Sequence, residues 1–316
     1  MPPVDRKNPK RAKSSQSRYS LMEFNREFPD DDACLEWLWR ERFSEDGQHA
    51  DCPKCKRENV LFKQYATKQR RGGSWTCTAC GHHVQVTAGT IFEGSSTSLH
   101  LWFYAIHLMT STRCGLAAKQ LERELGVTYK TAWRMFNKIR NELMVEEDDS
   151  PLSGHVEVDE TSIDGKLRTH LPRSEAHKLR ERSRTTVIAA IERGGRAKAT
   201  VIPSRRGEGL RRQVIEWINP DAFVYTDEWP AYNFVGRHFA EHSRVNHTVF
   251  YVDGDIHTNT VEGFFGNLKT GIRGNYKKVS RRWLQSYLNE FVWRYNHRND
   301  PRSMFRALLL RAAAGR

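Results

Sequence analysis

The chain has no apolar run long enough to cross a bilayer. Its longest, Leu99–Met109, contains His100 and His107 and falls far short of the ~20 residues that span a membrane. It also lacks a secretory apolar region at its start. The first eighteen residues instead carry Arg6, Lys7, Lys10, Arg11, Lys13 and Arg18 among Pro and Ser, so residues 1–19 read as a flexible basic arm. These two lacks predict a soluble, intracellular protein that binds no membrane. Cysteine is sparse too, with six in 316 residues, and in such a compartment each needs a reason other than a disulfide. Acid is scarce where base is dense: 51 Lys and Arg face 38 Asp and Glu, for a net charge of +13. Between Lys166 and Arg184 seven basic residues stand against Glu175 and Glu181, and from Lys269 to Arg316 twelve stand against Glu290 and Asp300. Solvated faces account for most charge runs, but an asymmetry repeated in separate segments predicts a polyanionic partner. Aromatics are not lacking. The 15 Phe, 10 Tyr and 9 Trp argue for packed cores, and the length argues for two or three domains.

Four of the cysteines fall into two matched pairs, Cys52-Pro-Lys-Cys55 and Cys77-Thr-Ala-Cys80, with 21 residues between them. Two intervening residues let both thiolates of a tight knuckle face one ion, and two knuckles complete a tetrahedral four-thiolate Zn²⁺ site. One such pair alone would fit a redox dithiol; a second at ribbon spacing predicts a closed, structural zinc site. Between the knuckles, Val60–Tyr65 and 73–76 read as hairpin strands around a turn at Arg70–Gly73, and His83–Thr87 as a third strand. Ahead of them, Ser20-Leu-Met-Glu23 is a capping box, and Asp30-Asp31-Asp32 opens a second helix, so residues 20–94 form a helical segment plus ribbon. Cys34 and Cys114 read as small buried hydrophobes.

Residues 95–149 read as a helix-turn-helix. A helix from Gly115 breaks at Gly126, and Thr128 caps a second helix running to about Met144. Ala132, Phe136, Ile139 and Leu143 share one face; Lys130, Thr131, Arg134, Asn137, Lys138 and Asn141 share the other. A glycine turn followed by a helix with a polar, basic outer face suits DNA reading, although many helical hairpins look alike. Leu99–Met109 is the expected third helix, and Glu146–Pro151 the linker to the C-terminal half.

From residue 150 to 316, strand-like runs at 155–163, 185–192 and 198–203 precede a helix at Glu208–Ile218. A strand ending at Asp227, a short helix near Trp229–Val235, a strand at Thr248–Val252 and long helices complete an α/β pattern, a mixed sheet flanked by helices. Asp159 closes the stretch His155-Val-Glu-Val-Asp159 within the first run and Asp227 closes the fourth, while Glu262 falls one turn into a helix starting near Asn259. Three carboxylates converging from two strand ends and a helix repel one another unless cations neutralise them, which makes them candidates for a divalent metal pair acting at phosphorus. Each acid also has a local reading. Asn259-Thr-Val-Glu262 is itself a capping box, and Asp227 can cap the turn at Trp229. Asp159 has the weakest local reading, because an acid ending a Val-rich strand is costly without a partner. Glu157 and Glu160 stay outside the candidate set, Glu160 because strand alternation points it away from Asp159.

Val156-Glu-Val-Asp159-Glu-Thr, Val224-Tyr-Thr-Asp227, His257-Thr-Asn259-Thr-Val-Glu262-Gly-Phe-Phe and Phe291-Val-Trp-Arg-Tyr-Asn-His-Arg298 together resemble the RNase H-like DDE transposases of bacterial insertion sequences. The closer likeness is to the ISXO-type, Merlin-related class, which carries an N-terminal zinc ribbon. The resemblance implies an RNase H-like catalytic domain preceded by the zinc ribbon and helix-turn-helix. It implies two Mg²⁺ ions, with Mn²⁺ able to substitute, held by Asp159, Asp227 and Glu262. It implies DNA end cleavage and strand transfer by a homodimer or higher synaptic complex that binds terminal inverted repeats and target DNA in a bacterial cytoplasm, associated with the nucleoid. Lys269, two turns beyond Glu262 on nearly the same helix face, is a candidate phosphate ligand. Arg273 is a weaker one, because Gly271 and Gly274 are expected to end the helix. Two rival readings keep the same fold: a DNA-binding regulator with an inactive nuclease domain, and a structure-selective nuclease without strand transfer.

Overall fold

The computed structural model describes residues 19–65, 73–164, 184–204, 208–245 and 257–315, in two compact units. The basic arm before Tyr19, the turn at 70–72, the basic segment at 166–183 and the strand expected at 248–252 lie outside the described residues. No helix among the described residues is long and apolar enough to cross a membrane.

The first unit comprises residues up to 113, 123–127 and 298 onward. Helix α1 (Leu21–Glu27) begins at the capping box read from sequence: Glu23 N–H donates to Ser20 Oγ (3.2 Å) and Ser20 N–H to Glu23 Oε2 (2.7 Å). Asp30 caps α2 (Asp31–Arg42) by accepting from Ala33 N–H at 2.9 Å. The ribbon is a four-stranded antiparallel sheet in the order β1 (His49–Ala50), β2 (Val60–Tyr65), β3 (Ser74–Cys77), β4 (His83–Gln85). It is too small to hold a core alone, and α2 supplies one. Trp39 stacks on Trp75 with ring centres 5.0 Å apart and packs against Phe62 at 5.3 Å. Helix α3 (Leu99–Ser111) packs against α1, α2 and the last helix, α9 (Met304–Ala314). There Phe305 stacks on Tyr19 and meets Phe24 edge-on.

The next helices are α4 (Ala118–Leu125) and α5 (Tyr129–Lys138), separated by Gly126 at φ 63° and capped by Thr128, whose hydroxyl accepts from Thr131 N–H. The α5 helix widens into a π-helical turn, Ile139–Leu143.

The second unit comprises residues 114–122 and 128–297. At its centre is a five-stranded sheet in the order β7-β6-β5-β8-β9, formed by β5 (His155–Ile163), β6 (Thr185–Glu192), β7 (Ala197–Ile202), β8 (Phe223–Asp227) and β9 (Glu241–Val245). Strands β7, β6 and β5 pair antiparallel, while β5, β8 and β9 run parallel. On one face Val156, Val158, Ile188 and Ala190 pack with Leu210 and Val214 of α6 (Glu208–Trp217) and with Tyr232 and Val235 of two short 3₁₀ turns. Against β5 and β6 also packs α7 (Asn259–Gly271), and against β7 packs α8 (Arg281–Asn296). The edge strand β7 is covered by side chains of α8. Asn296 bonds both backbone groups of Ala197, and Gln285 accepts from Val201 N–H at 2.9 Å.

Three expectations need correction. Cys114 is exposed, not buried. Strand β9 has no counterpart among the runs read from sequence. Gly271 does not end its helix, which continues as a π-helical turn, Ile272–Tyr276, and stops at Lys277 with φ 63°. A Cβ on Gly271 would lie 2.4 Å from the Phe291 ring and 3.0 Å from the Cys114 carbonyl oxygen, so glycine serves close packing there.

Candidate metal centres and DNA-reading helix

Ribbon geometry brings the four cysteines together. The Cys52–Cys55 knuckle lies between β1 and β2, where Lys56 N–H closes on the Cys52 carbonyl at 2.9 Å and Lys56 and Asn59 take positive φ. The Cys77–Cys80 knuckle follows β3 and turns at Gly81 (φ 71°). All four sulfurs lie within 4.8 Å of one another, and Cys52 Sγ is 3.7 Å from Cys80 Sγ. The edge of a sulfur tetrahedron around Zn²⁺, with bonds of ~2.3 Å, is about 3.8 Å, so the donor set fits that ion. Backbone N–H donation, from Cys55 above all, draws the Cys52 thiol down to about 6, while Cys80, against N–H donation from His82, is raised to about 11 by burial and the neighbouring thiols.

The acidic centre grows from two adjacent parallel strands. In the register of β5 with β8, Glu157 lies opposite Tyr225, and two residues further along each strand stand Asp159 and Asp227. Their oxygens, with one from Glu160, lie within 4.8 Å of one another. Asp159 Oδ1 accepts from Glu160 N–H at 2.7 Å, and Asp227 Oδ1 from Trp229 N–H at 3.1 Å, which is the local turn contact expected of Asp227. Burial raises the Asp159 carboxyl to about 7, and the charges of Glu160, Asp227 and Glu262 push the same way. Oxygen donors this close, one of them holding its proton near neutral pH for want of a counter-charge, could hold a metal cation.

Sequence reasoning missed Glu160. It is buried, and its carboxylate accepts a short hydrogen bond from the buried Tyr232 hydroxyl. Strand alternation starts it on the opposite side of β5 from Asp159, yet one of its carboxylate oxygens reaches the set. Glu262 stands outside the 4.8 Å set, exposed on the first turn of α7. There Thr258 takes the N-cap position in place of Asn259, and its hydroxyl donates to Glu262 Oε1 at 3.1 Å. Lys269 is half-buried two turns further on, and Arg273 is exposed on the π-helical turn.

Glu157 also lies outside the sequence-derived set, yet it is one of the most heavily bonded side chains in the unit. It is wholly buried and faces α7 and Arg193. The signal was available, because residues 157 and 159 of one strand share a face.

On α5 the apolar positions are buried as expected, with Trp133 edge-on to Trp283 and Phe136 edge-on to Tyr287 of α8. Lys130 and Arg134 are exposed; Thr131, Asn137 and Lys138 are half-buried. Asn137 donates to the Trp133 carbonyl, and the Thr131 hydroxyl lies 3.1 Å from that of Thr128. Arg140 on the following turn is fully buried between the Phe136 and Tyr287 rings and pairs with Glu290, which also accepts from Arg294.

A mixed sheet that gathers acidic side chains from parallel strands, in a chain that also bears a four-thiolate module, defines an α/β protein with two candidate metal centres. Residues 151–296 match the ISXO2-like transposase domain. An uncharacterized protein in transposable element ISH50 of Halobacterium salinarum is 28% identical over 253 residues, which cover 75% of this chain and 78% of that protein. An uncharacterized transposase-like protein of Haemophilus influenzae is 25% identical over 97 residues, 31% of this chain and 78% of its own length. Residues 151–296 thus resemble a transposase domain, and the chain is similar to proteins of transposable elements.

Proposed function

We propose that the protein is a DDE-type DNA transposase that cleaves the ends of its element and joins them to target DNA, with an RNase H-like domain as its catalytic part. The observation that carries this reading is that Asp159, midway along β5, and Asp227, at the end of the adjacent parallel strand β8, bring carboxylate oxygens within 4.8 Å of each other inside a transposase-family domain. Asp159, Asp227 and Glu262 would together hold two Mg²⁺ ions, Mn²⁺ being able to substitute. When bound, the ions supply an activated water or 3′-hydroxyl and stabilise the leaving oxygen. The chain's own part is to hold these carboxylates in place, while Lys269 and Arg273 hold backbone phosphate beside them. Lys130, Thr131, Arg134, Asn137 and Lys138 read the terminal inverted repeats, with the zinc ribbon alongside. Engaging two element ends calls for a homodimer or larger synaptic complex in the bacterial nucleoid.

The test uses labelled element-end DNA in Mg²⁺ or Mn²⁺, with Asp159→Asn and Glu262→Gln beside the wild type. The reading expects cleavage by the wild type only. A shift in DNA mobility without cleavage would instead fit the inactive regulator, and cleavage without joining the plain nuclease.

A further inference from the structure

We infer that Glu157 is a positioning residue for the acidic centre: with Arg193 it clamps the start of α7 to β5 and so fixes Glu262 relative to Asp159. This rests on the catalytic reading above. Glu157 is 0% exposed and gathers donors from three directions. Its Oε2 accepts from Thr260 N–H at 2.7 Å and Val261 N–H at 3.1 Å. Its Oε1 accepts from the Thr260 hydroxyl at 2.9 Å and Arg193 Nε at 2.7 Å, with His257 Nδ1 at 3.1 Å. Arg193 continues the clamp, donating to the His257 carbonyl at 2.9 Å and lying 4.1 Å over the Tyr225 ring.

The Thr258 side chain does not cap α7, so the N–H groups that an ordinary cap would satisfy are taken by a carboxylate more than a hundred residues away. A buried carboxylate is an expensive way to end a helix, since a local Ser, Thr or Asp does the same work at the surface. What it achieves beyond capping is register. The gripped residues, Thr260 and Val261, immediately precede Glu262, and the gripping residue stands one pleat, about 6.7 Å, before Asp159 on the same face. Tyr225, under Arg193, stands two residues before Asp227 in β8. Glu157, Arg193 and Tyr225 thus form a layer directly behind the three acids and tie together the three elements that carry them. Behind a metal site, such supporting contacts typically set affinity by about 10- to 100-fold.

The test is Mn²⁺ binding by zinc-loaded full-length protein without DNA, followed by the electron paramagnetic resonance of free Mn²⁺, with Asp159→Asn defining the background. Element-end cleavage is titrated with Mn²⁺ in parallel. Glu157→Gln should weaken Mn²⁺ binding about tenfold or more, and its cleavage should recover as Mn²⁺ is raised. Thr260→Val removes one clamp bond without disturbing a buried charge and should weaken Mn²⁺ binding about threefold, with element-end DNA binding unchanged. If Glu157→Gln fails to fold, Thr260→Val decides alone. Variants that melt cooperatively, bind DNA as the wild type does and hold Mn²⁺ within twofold of it would overturn the clamp. A wild type no better than Asp159→Asn at binding Mn²⁺ would instead bring down the catalytic reading beneath it.

Discussion

Two costs meet at Asp159: its carboxyl is buried, and the nearest charges, those of Glu160, Asp227 and Glu262, share its sign. An unfolded aspartyl group titrates near 3.9, whereas this one titrates at about 7 in the folded chain. Below pH 4 the group is protonated in both states and costs nothing. Between 4 and 7 the unfolded chain releases a proton that the folded chain keeps, so stability falls as pH rises, and above 7 the full penalty stands. Asp159→Asn should therefore stabilise zinc-loaded, magnesium-free protein by about 1–3 kcal/mol at pH 8, with the gain vanishing toward pH 4. Urea denaturation at several pH values measures this, and a gain independent of pH would contradict it. Asp159 and Asp227 were legible as acids following apolar strand residues, though only Asp227 ends its strand and Asp159 lies midway along β5. Glu160 was not, because alternation points it away from Asp159; Glu157 was legible as sharing the Asp159 face, but not as the residue that meets α7 there.

Hydrophobic period carried most elements into the sequence reading, and polar content hid the remainder. The runs at 155–163 and 185–192 agree with β5 and β6 to the residue: β6 is largely apolar and buried, while in β5 Val156 and Val158 alternate with Glu157 and Asp159. Strand β9, Glu-His-Ser-Arg-Val, is an edge strand with little apolar content, and no alternation announces it. In α8 the apolar stripe was plain, but Glu290 within it was not. It is fully buried and holds Arg140 and Arg294, an arrangement that depends on residues 150 positions apart. Glu290→Ala would strand two guanidinium groups and should cost about 3–5 kcal/mol, read as a lowered urea midpoint at unchanged slope. The ribbon was legible nearly whole, because two C-x2-C knuckles and their turns are local. It should carry one zinc ion per chain, and Cys52→Ser together with Cys77→Ser should abolish that zinc and the near-ultraviolet circular dichroism of the Trp39–Trp75 stack. Full retention of that signal without zinc would show that the ribbon folds by its core alone.

Across the whole molecule, the charge of +13 and the acidic centre answer each other. A polyanion is drawn to a chain whose excess base lies in several separate segments, and the clustered acids form a group that could hold a metal cation. The transposase-family domain covers the sheet, α6, α7 and α8, while the ribbon and α5 supply the surfaces proposed for reading DNA. The central claim is that Asp159, Asp227 and Glu262 form a strand-transfer site. The most direct measurement gives the purified protein a pre-cut element end with a free 3′-hydroxyl, a supercoiled target plasmid and Mg²⁺, and follows label joined covalently to the plasmid. Joined product with the wild type, and none with Asp159→Asn or Asp227→Asn under conditions where all three bind the end equally, is the predicted result. Joining that persists in either variant would contradict it.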